Sequence, residues 1–434
     1  MNELKIAFCT LGCKVNQYET DLLKEQAENL GYTIVDFEDM ADVYCVNSCS
    51  VTNMSDRKTR QMISKAKNKN KNAIVAVIGC NVDSIKDKSK FNEYKAEIII
   101  GNRDKLDLFE EIEKHIISKN KVLKLRDINE QKEYSEKYTL KKGYDIREAI
   151  KIQDGCNNFC SYCIIPYLRG RIRSKEKEIV LNEVTNLAKN GVKEIVLVGI
   201  EVTSYGKDLE NTNLIDLMEE INKIEGVERI RLSSLDPRFL TEENIIKLSK
   251  ISKLCNHFHI SMQSLDNDVL KGMNRKYKVE DVEETVKNLR KYFYDPFIAT
   301  DIIVGFPGET DEMFLNTKNN LERLEITEIH VFKYSKREYT KAANMEGQVL
   351  GDIKKERSNK ILLLSRQNKE KYLSKYIGKK LEVLFENYTN GINTGLTKNY
   401  IKVKMRGNNI CGTTQDVVGI SLDKGELLKA QELS

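Results

Sequence analysis

The chain carries ten cysteines, and six of them stand at spacings that suit chemistry. Cys156, Cys160 and Cys163 form a CxxxCxxC run, Cys156-Asn-Asn-Phe-Cys160-Ser-Tyr-Cys163, with no local fourth thiol and no histidine nearer than His115 or His257. A structural zinc site closes with four ligands. Three thiolates on a four-iron cube instead leave one iron open, and that vacancy is where a ligand can bind and react.

Cys13, Cys49 and Cys80 are 36 and 31 residues apart, yet each follows a short apolar run, at 4–8, 43–47 and 73–78. A fourth run falls at 96–100, and helical stretches near 16–30, 55–69 and 105–118 separate the runs. That alternation predicts a parallel sheet with crossover helices. Ligands of such sheets collect at the carboxyl ends of the strands, so the fold would gather the three thiols on one edge. Cys9 and Cys45 lie inside apolar runs and read as small core residues, as do the isolated Cys255 and Cys411.

Residues 118–143 are polar and lysine-rich and read as a linker. Strand candidates then recur at 149–153, 194–198, 229–233, 257–262, 299–304 and 328–334, with helical patterns between them. Six β/α units predict an open relative of the (β/α) barrel, with chemistry at the C-terminal strand ends. The Cys156 run sits directly after its first strand. A charged helix over 352–376 precedes strands at 380–388, 395–405 and 417–421, separated by Asn-Gly and Gly-Asn-Asn turns, which predict a small antiparallel β-barrel. The expected class is α/β, with domains at 1–117, 144–374 and 375–434 around the linker.

Length and composition agree. The 434 residues exceed what one core serves, and 40% hydrophobic with 32% charged residues excludes a membrane bundle or a disordered chain. No window approaches the roughly 18 apolar residues of a spanning helix, and the N-terminus lacks a signal-peptide pattern. A cytoplasmic protein without membrane contact is expected, where reduced cysteines serve metals or catalysis rather than disulfides. Net charge is only +5, but Arg57, Lys58, Arg60, Lys65, Lys67, Lys69 and Lys71 run without an acidic residue among them. They form either a solvated helix face or one aimed at phosphates.

The Cys156 run and its place resemble the radical S-adenosylmethionine superfamily. Thr10-Leu-Gly-Cys13-Lys-Val-Asn-Gln-Tyr-Glu-Thr20, Val46-Asn-Ser-Cys49-Ser-Val-Thr52 and Val77-Ile-Gly-Cys80 resemble the N-terminal domain of its methylthiotransferases. Pro166-Tyr-Leu-Arg-Gly-Arg171, His259-Ile-Ser-Met-Gln-Ser264 and Thr300-Asp-Ile-Ile-Val-Gly-Phe-Pro-Gly-Glu309 extend the likeness, and the C-terminal barrel matches the position of the TRAM RNA-binding domain. Tyr339 and Lys341 depart from the Gly and Pro expected there.

The resemblance implies two 4Fe-4S clusters. One, on Cys156, Cys160 and Cys163, would cleave S-adenosyl-L-methionine to a radical; the other, on Cys13, Cys49 and Cys80, would carry the sulfur that a second S-adenosylmethionine methylates. It places Gly199, Glu201, Ser233, Gln263 and Asp301 where the superfamily contacts S-adenosylmethionine, although each position also suits packing or a turn. Arg169 and Arg171 would meet RNA phosphate or the methionyl carboxylate, or remain solvated. His257 and His259 read as satisfied core or strand-end histidines, and Met262 and Met273 as packing residues.

The implied partners are a tRNA anticodon stem-loop, an external electron donor and a sulfur source. Three substrate types exist in the family, and the Cys13 run with Val51-Thr-Asn-Met-Ser-Asp-Arg-Lys-Thr-Arg60 looks most like the type acting on threonylcarbamoyladenosine. The alternatives are isopentenyladenosine of tRNA, a ribosomal-protein aspartate, or a non-catalytic iron-sulfur RNA-binding redox sensor.

Overall fold

A computed structural model describes residues 4–432 apart from 86, 132, 133, 135–138 and 426. Its first unit is a six-stranded parallel sheet in the order β2-β1-β3-β4-β5-β6. The strands are β1 (Lys5–Thr10), β2 (Thr33–Val35), β3 (Val43–Ser48), β4 (Ile74–Gly79), β5 (Ile98–Ile100) and β6 (Val122–Lys124). β3 and β4, Val-Tyr-Cys-Val-Asn-Ser and Ile-Val-Ala-Val-Ile-Gly, are almost wholly buried, as central strands covered on both faces must be. β6 corrects the linker expectation, because Val122–Lys124 pairs with β5 and belongs to this sheet. Farther along that stretch Leu140 is buried in the core of the next unit, and 132, 133 and 135–138 lie outside the described residues.

The second unit holds β7 (Arg147–Asp154), β8 (Arg173–Ser174), β9 (Glu194–Gly199), β10 (Arg229–Leu232), β11 (His257–Gln263), β12 (Phe297–Val304) and β13 (Glu328–Lys333). They form two sheets, β10-β9-β7-β8 and β11-β12-β13. Parallel bridges Ile230↔Leu254 and Leu235↔Ile260 join them into one open wall. Apart from the short β8, all strands pair in parallel, so their carboxyl ends share one rim. Helices cover the outside through residues such as Val180, Val184 and Leu187.

The third unit is a closed barrel, β14-β15-β16-β18-β17, built from β14 (Lys380–Thr389), β15 (Ile392–Thr397), β16 (Lys402–Arg406), β17 (Thr414–Asp423) and β18 (Leu427–Glu432). The single strand expected at 395–405 is two strands, broken at Tyr400, whose φ of 63° lies in the left-handed region. Its interior residues Val383, Phe385, Val403, Met405 and Leu428 share one core with Phe297 and Ala299 of β12 and with Tyr372, Leu373 and Tyr376 from the end of the helix Gly351–Ser374. The C-terminal barrel is thereby seated against the N-terminal end of β12. Among the described residues no helix is long and apolar enough to cross a membrane.

Candidate active site between the domains

Cys13 follows β1, Cys49 follows β3 and Cys80 follows β4, so three adjacent parallel strands deliver three thiols to one rim. The crowding is tight. Gly12 has φ +107°, and a Cβ on it would stand 2.9 Å from the Cys49 sulfur, so only glycine fits. Burial pushes the Cys49 thiol up to about 11, helped by the neighbouring Cys80 and Cys13. Cys13 is exposed as a residue, yet desolvation of its thiol raises it as well. Such thiols favour the protonated form until a metal displaces the proton.

The second triplet occupies the loop after β7. Gly155, at φ +71°, opens it where a Cβ would collide with the carbonyl of Arg171. Burial holds Cys156 and Cys163 each at about 12, with Cys160 raising Cys163 further. Arg275 donates to the Cys160 sulfur at 3.2 Å and to the Ser261 carbonyl at 3.1 Å. The backbone N–H of Asn158 donates to the Cys156 sulfur at 3.4 Å. Donors aimed at sulfur fit thiolate ligands, whose charge they share. All ten cysteines are free thiols. Among the described residues no three His, Cys, Asp or Glu side chains close on one ion, and a cluster differs from a single ion in placing each thiolate on its own iron.

The two triplets meet across the domain seam. Cys80 packs with Ile164 and Leu168, which follow Cys163 in the chain. Asn102 ties the same seam, donating to the Cys80 sulfur at 3.5 Å and to the Leu168 carbonyl at 3.1 Å. A cavity of about 1100 Å³ runs from Cys13 and Lys14 past Gly199 and Ser233 at the strand ends to His259 of β11, His330 of β13 and Tyr400 of the C-terminal barrel. All three units contribute walls.

The radical SAM superfamily pattern matches residues 150–321, and that of the uncharacterized protein family UPF0004 matches residues 5–101. The threonylcarbamoyladenosine tRNA methylthiotransferase of Bacillus subtilis (strain 168) is 38% identical over 98% of this chain and 94% of its own. The tRNA-2-methylthio-N(6)-dimethylallyladenosine synthase of Clostridium novyi (strain NT) is 37% identical over 87% of this chain and 84% of its own. The chain belongs to the radical SAM tRNA methylthiotransferases. Among solved structures, the radical S-adenosylmethionine methyltransferase TsrM from Kitasatospora setae superposes with a TM-score of 0.59 at 15% identity, over 79% of this chain and 75% of that one. That likeness is one of fold.

Within this methylthiotransferase the expected S-adenosylmethionine contacts divide. Gly199 and Ser233 line the cavity, and the buried Ser233 hydroxyl has no partner among the described residues. An orphaned hydroxyl of this kind fits a bound ligand. Glu201 faces the cluster loop instead: Asn158 donates to it at 2.7 Å, Thr203 also donates to it, and burial with Asp236 nearby raises its pKa. Asp301 contacts His259 at 3.1 Å, and His259 stacks on His330 with ring centres 5.3 Å apart. Gln263 ends β11 at φ +63° and is not among the cavity walls.

Three sequence expectations need correction. Arg169 is neither solvated nor placed to meet RNA: it is 1% exposed and ion-paired to Glu19 and Asp154. Its neighbour Arg171, by contrast, is exposed and lies over the Phe159 ring at 4.4 Å. His257 stacks on Tyr400 at 4.2 Å, but its buried Nδ1 has no partner among the described residues, so it is not a satisfied core histidine. Cys411 is exposed rather than a core residue, whereas Cys45 and Cys255 are fully buried. Met262 and Met273 are buried, as packing residues should be.

The basic helix also resolves into two parts. Lys65 and Lys69 pair with Glu38, and Lys67 pairs with Glu97 at 2.6 Å. Arg57, Lys58 and Arg60 are exposed. The residues that sequence reasoning passed over, Arg275, Asn102 and Arg337, carry no spacing signal, since each reaches its loop from elsewhere in the chain.

Proposed function

We propose that this tRNA methylthiotransferase replaces the hydrogen at C2 of N6-threonylcarbamoyladenosine, beside the anticodon, with a methylthio group. The observation that carries the choice of base is the cavity wall. Lys14 and Lys402 line it and form no salt bridge among the described residues, although Glu194 acts on Lys14 electrostatically, while Lys369 and Arg147 there pair with Glu328 and Glu386. A threonylcarbamoyl group brings a carboxylate to such a wall. An isopentenyl group offers those exposed ammonium groups no anionic partner. Identities of 38% and 37% to the two relatives do not separate the substrates, and the wall chemistry favours the first.

In this reading Cys156, Cys160 and Cys163 hold a 4Fe-4S cluster and Cys13, Cys49 and Cys80 hold a second. Gly199 and Ser233 meet S-adenosylmethionine in the cavity, and Glu201, Gln263 and Asp301 support the rim around it. The clusters supply reductive cleavage of S-adenosylmethionine and a site for sulfur; an external donor provides electrons and an external source replenishes sulfur. The net exchange breaks C2–H and forms C2–S. In balance, one S-adenosylmethionine would take the hydrogen and leave as 5′-deoxyadenosine and methionine, and a second would give its methyl to sulfur and leave as S-adenosylhomocysteine. The chain's own part is to seal the cavity from three sides, so that a reactive base meets side chains rather than water. Arg57, Lys58 and Arg60 with the C-terminal barrel would hold tRNA by its phosphates.

The test is nucleoside mass spectrometry after reaction of the reconstituted enzyme with two tRNAs, one bearing threonylcarbamoyladenosine and one isopentenyladenosine. Methylthiolation of the first alone is expected; modification of the second alone overturns the substrate assignment.

A further inference from the structure

Beneath the seam between the two cysteine sets lies a buried charge network centred on Arg169. Its guanidinium donates to Glu19 at 3.0 Å and to Asp154 at 3.2 Å, and to the Asn16 side-chain oxygen at 2.7 Å. Asp154 in turn accepts from the N–H of Gly155, the residue before Cys156. Asn16 donates to the carbonyls of Leu11 at 2.7 Å and Ser48 at 3.0 Å, the backbone that leads into Cys13 and Cys49. Lys105 pairs with Glu19 and donates to Asn102 at 3.1 Å, and Asn102 donates to the Cys80 sulfur. One guanidinium therefore reaches the backbone or side-chain supports of four cysteines in two domains.

The charges of this network are buried with it. Arg169, Lys105 and Lys151 are all buried, with Arg173 3.8 Å from Asp154. Glu19 and Asp154 pair with them inside the same network. The Arg169 guanidinium acts on the Cys13 and Cys80 thiols, with both of which it interacts electrostatically. A cluster gains negative charge when reduced, and fixed positive charge in a buried setting favours the reduced form.

We propose that Arg169 is a positioning residue that holds the two cluster loops in one register and raises the reduction potential of the cluster on Cys13, Cys49 and Cys80. The inference rests on the two-cluster reading above. Glu19 opposes it, since its carboxylate acts on Cys13 with the opposite sign. Arg169 and Glu19 therefore move the potential in opposite directions, whereas a merely structural pair would disturb the site in the same way when either is changed.

The experiment uses the full chain with Cys156, Cys160 and Cys163 all replaced by Ala, reconstituted anaerobically, so that a single cluster remains. Its midpoint potential is read by electron paramagnetic resonance during a redox titration, with iron content measured on each sample. In that background Arg169→Gln should lower the midpoint, Glu19→Gln should raise it, and Arg169→Lys should restore most of the parent value. If Arg169→Gln fails to hold iron, the sign of the Glu19→Gln shift decides. A Glu19→Gln midpoint that is unmoved or lowered overturns the proposal, as does an Arg169→Gln protein with full iron and the parent midpoint. Iron near zero in the triple-alanine parent is a separate result: it removes the second cluster, and the proposal with it.

Discussion

Arg337, beyond the last strand of the open barrel, is ion-paired at 2.7 Å to Asp56 on the basic helix of the N-terminal unit. The same guanidinium donates to the carbonyl and hydroxyl of Ser50 and to Asn53. It thereby fixes the loop carrying Cys49 from the far side, 287 residues away in sequence.

Arg337→Ala should therefore loosen that loop selectively. Breaking a mostly buried pair while leaving Asp56 behind costs about 2–4 kcal/mol, readable as a lower denaturant midpoint. Under the two-cluster proposal, iron on Cys13, Cys49 and Cys80 should fall, while cleavage of S-adenosylmethionine at the other triplet persists. Equal iron and equal stability in the variant would remove this role from Arg337.

The basic helix gives a second test. Replacing Arg57, Lys58 and Arg60 with Gln should weaken tRNA binding and flatten its salt dependence, the slope falling by up to about one for each phosphate no longer neutralised. Replacing Lys65, Lys67 and Lys69, which already serve Glu38 and Glu97, should change the slope much less. Filter binding across a salt series separates the two sets, and identical slopes would count against a phosphate-facing role for the first.

The pattern of apolar runs carried most of the architecture because the central strands, such as Ile74–Gly79, are buried on both faces and must be nearly continuous in apolar residues. Thr33–Val35, Val122–Lys124 and Leu427–Glu432 were not legible. The first two are three-residue edge strands, and the third is half polar, so neighbours rather than their own sequence decide their pairing. The placement of Cys13, Cys49 and Cys80 at adjacent strand ends, and of the Cys156 run after β7, was legible. Their supports were not: Arg275 lies 115 residues from Cys160 and Asn102 lies 22 from Cys80. Arg169 was misread because an arginine in a loop normally stays in water, and here two carboxylates from different units follow it into the core.

Glu148 offers a test by pH. It is 4% exposed, accepts from the N–H groups of Tyr144 and Asp145, and burial raises its pKa to about 7. A carboxyl whose folded pKa lies above its unfolded value costs stability once ionised, so its burden grows as pH rises from about 4.5 through 7. Glu148→Gln cannot ionise and keeps an acceptor. Its stability relative to the parent should improve between pH 5 and pH 8.5 by up to roughly 3 kcal/mol, measured by urea unfolding at each pH. An advantage that shrinks with rising pH would reverse the sign of this argument.

The two cysteine sets should fail differently. Cys160 lies in the loop after β7, where Arg275 donates to its sulfur, and Cys160→Ala removes a ligand from the cluster assigned to reductive cleavage. Release of 5′-deoxyadenosine should vanish, and the methylthio product with it. Cys49 stands on the other rim, crowded against Gly12, and Cys49→Ala leaves the barrel triplet untouched. That variant should still cleave S-adenosylmethionine but make no methylthio product, with its iron content falling toward half. A cysteine that only filled space would behave otherwise, because losing one buried sulfur costs about 1–2 kcal/mol of packing and leaves turnover largely intact. Iron, 5′-deoxyadenosine and modified nucleoside are measured for both variants side by side, and sustained product formation by Cys49→Ala would end the case for a second catalytic cluster.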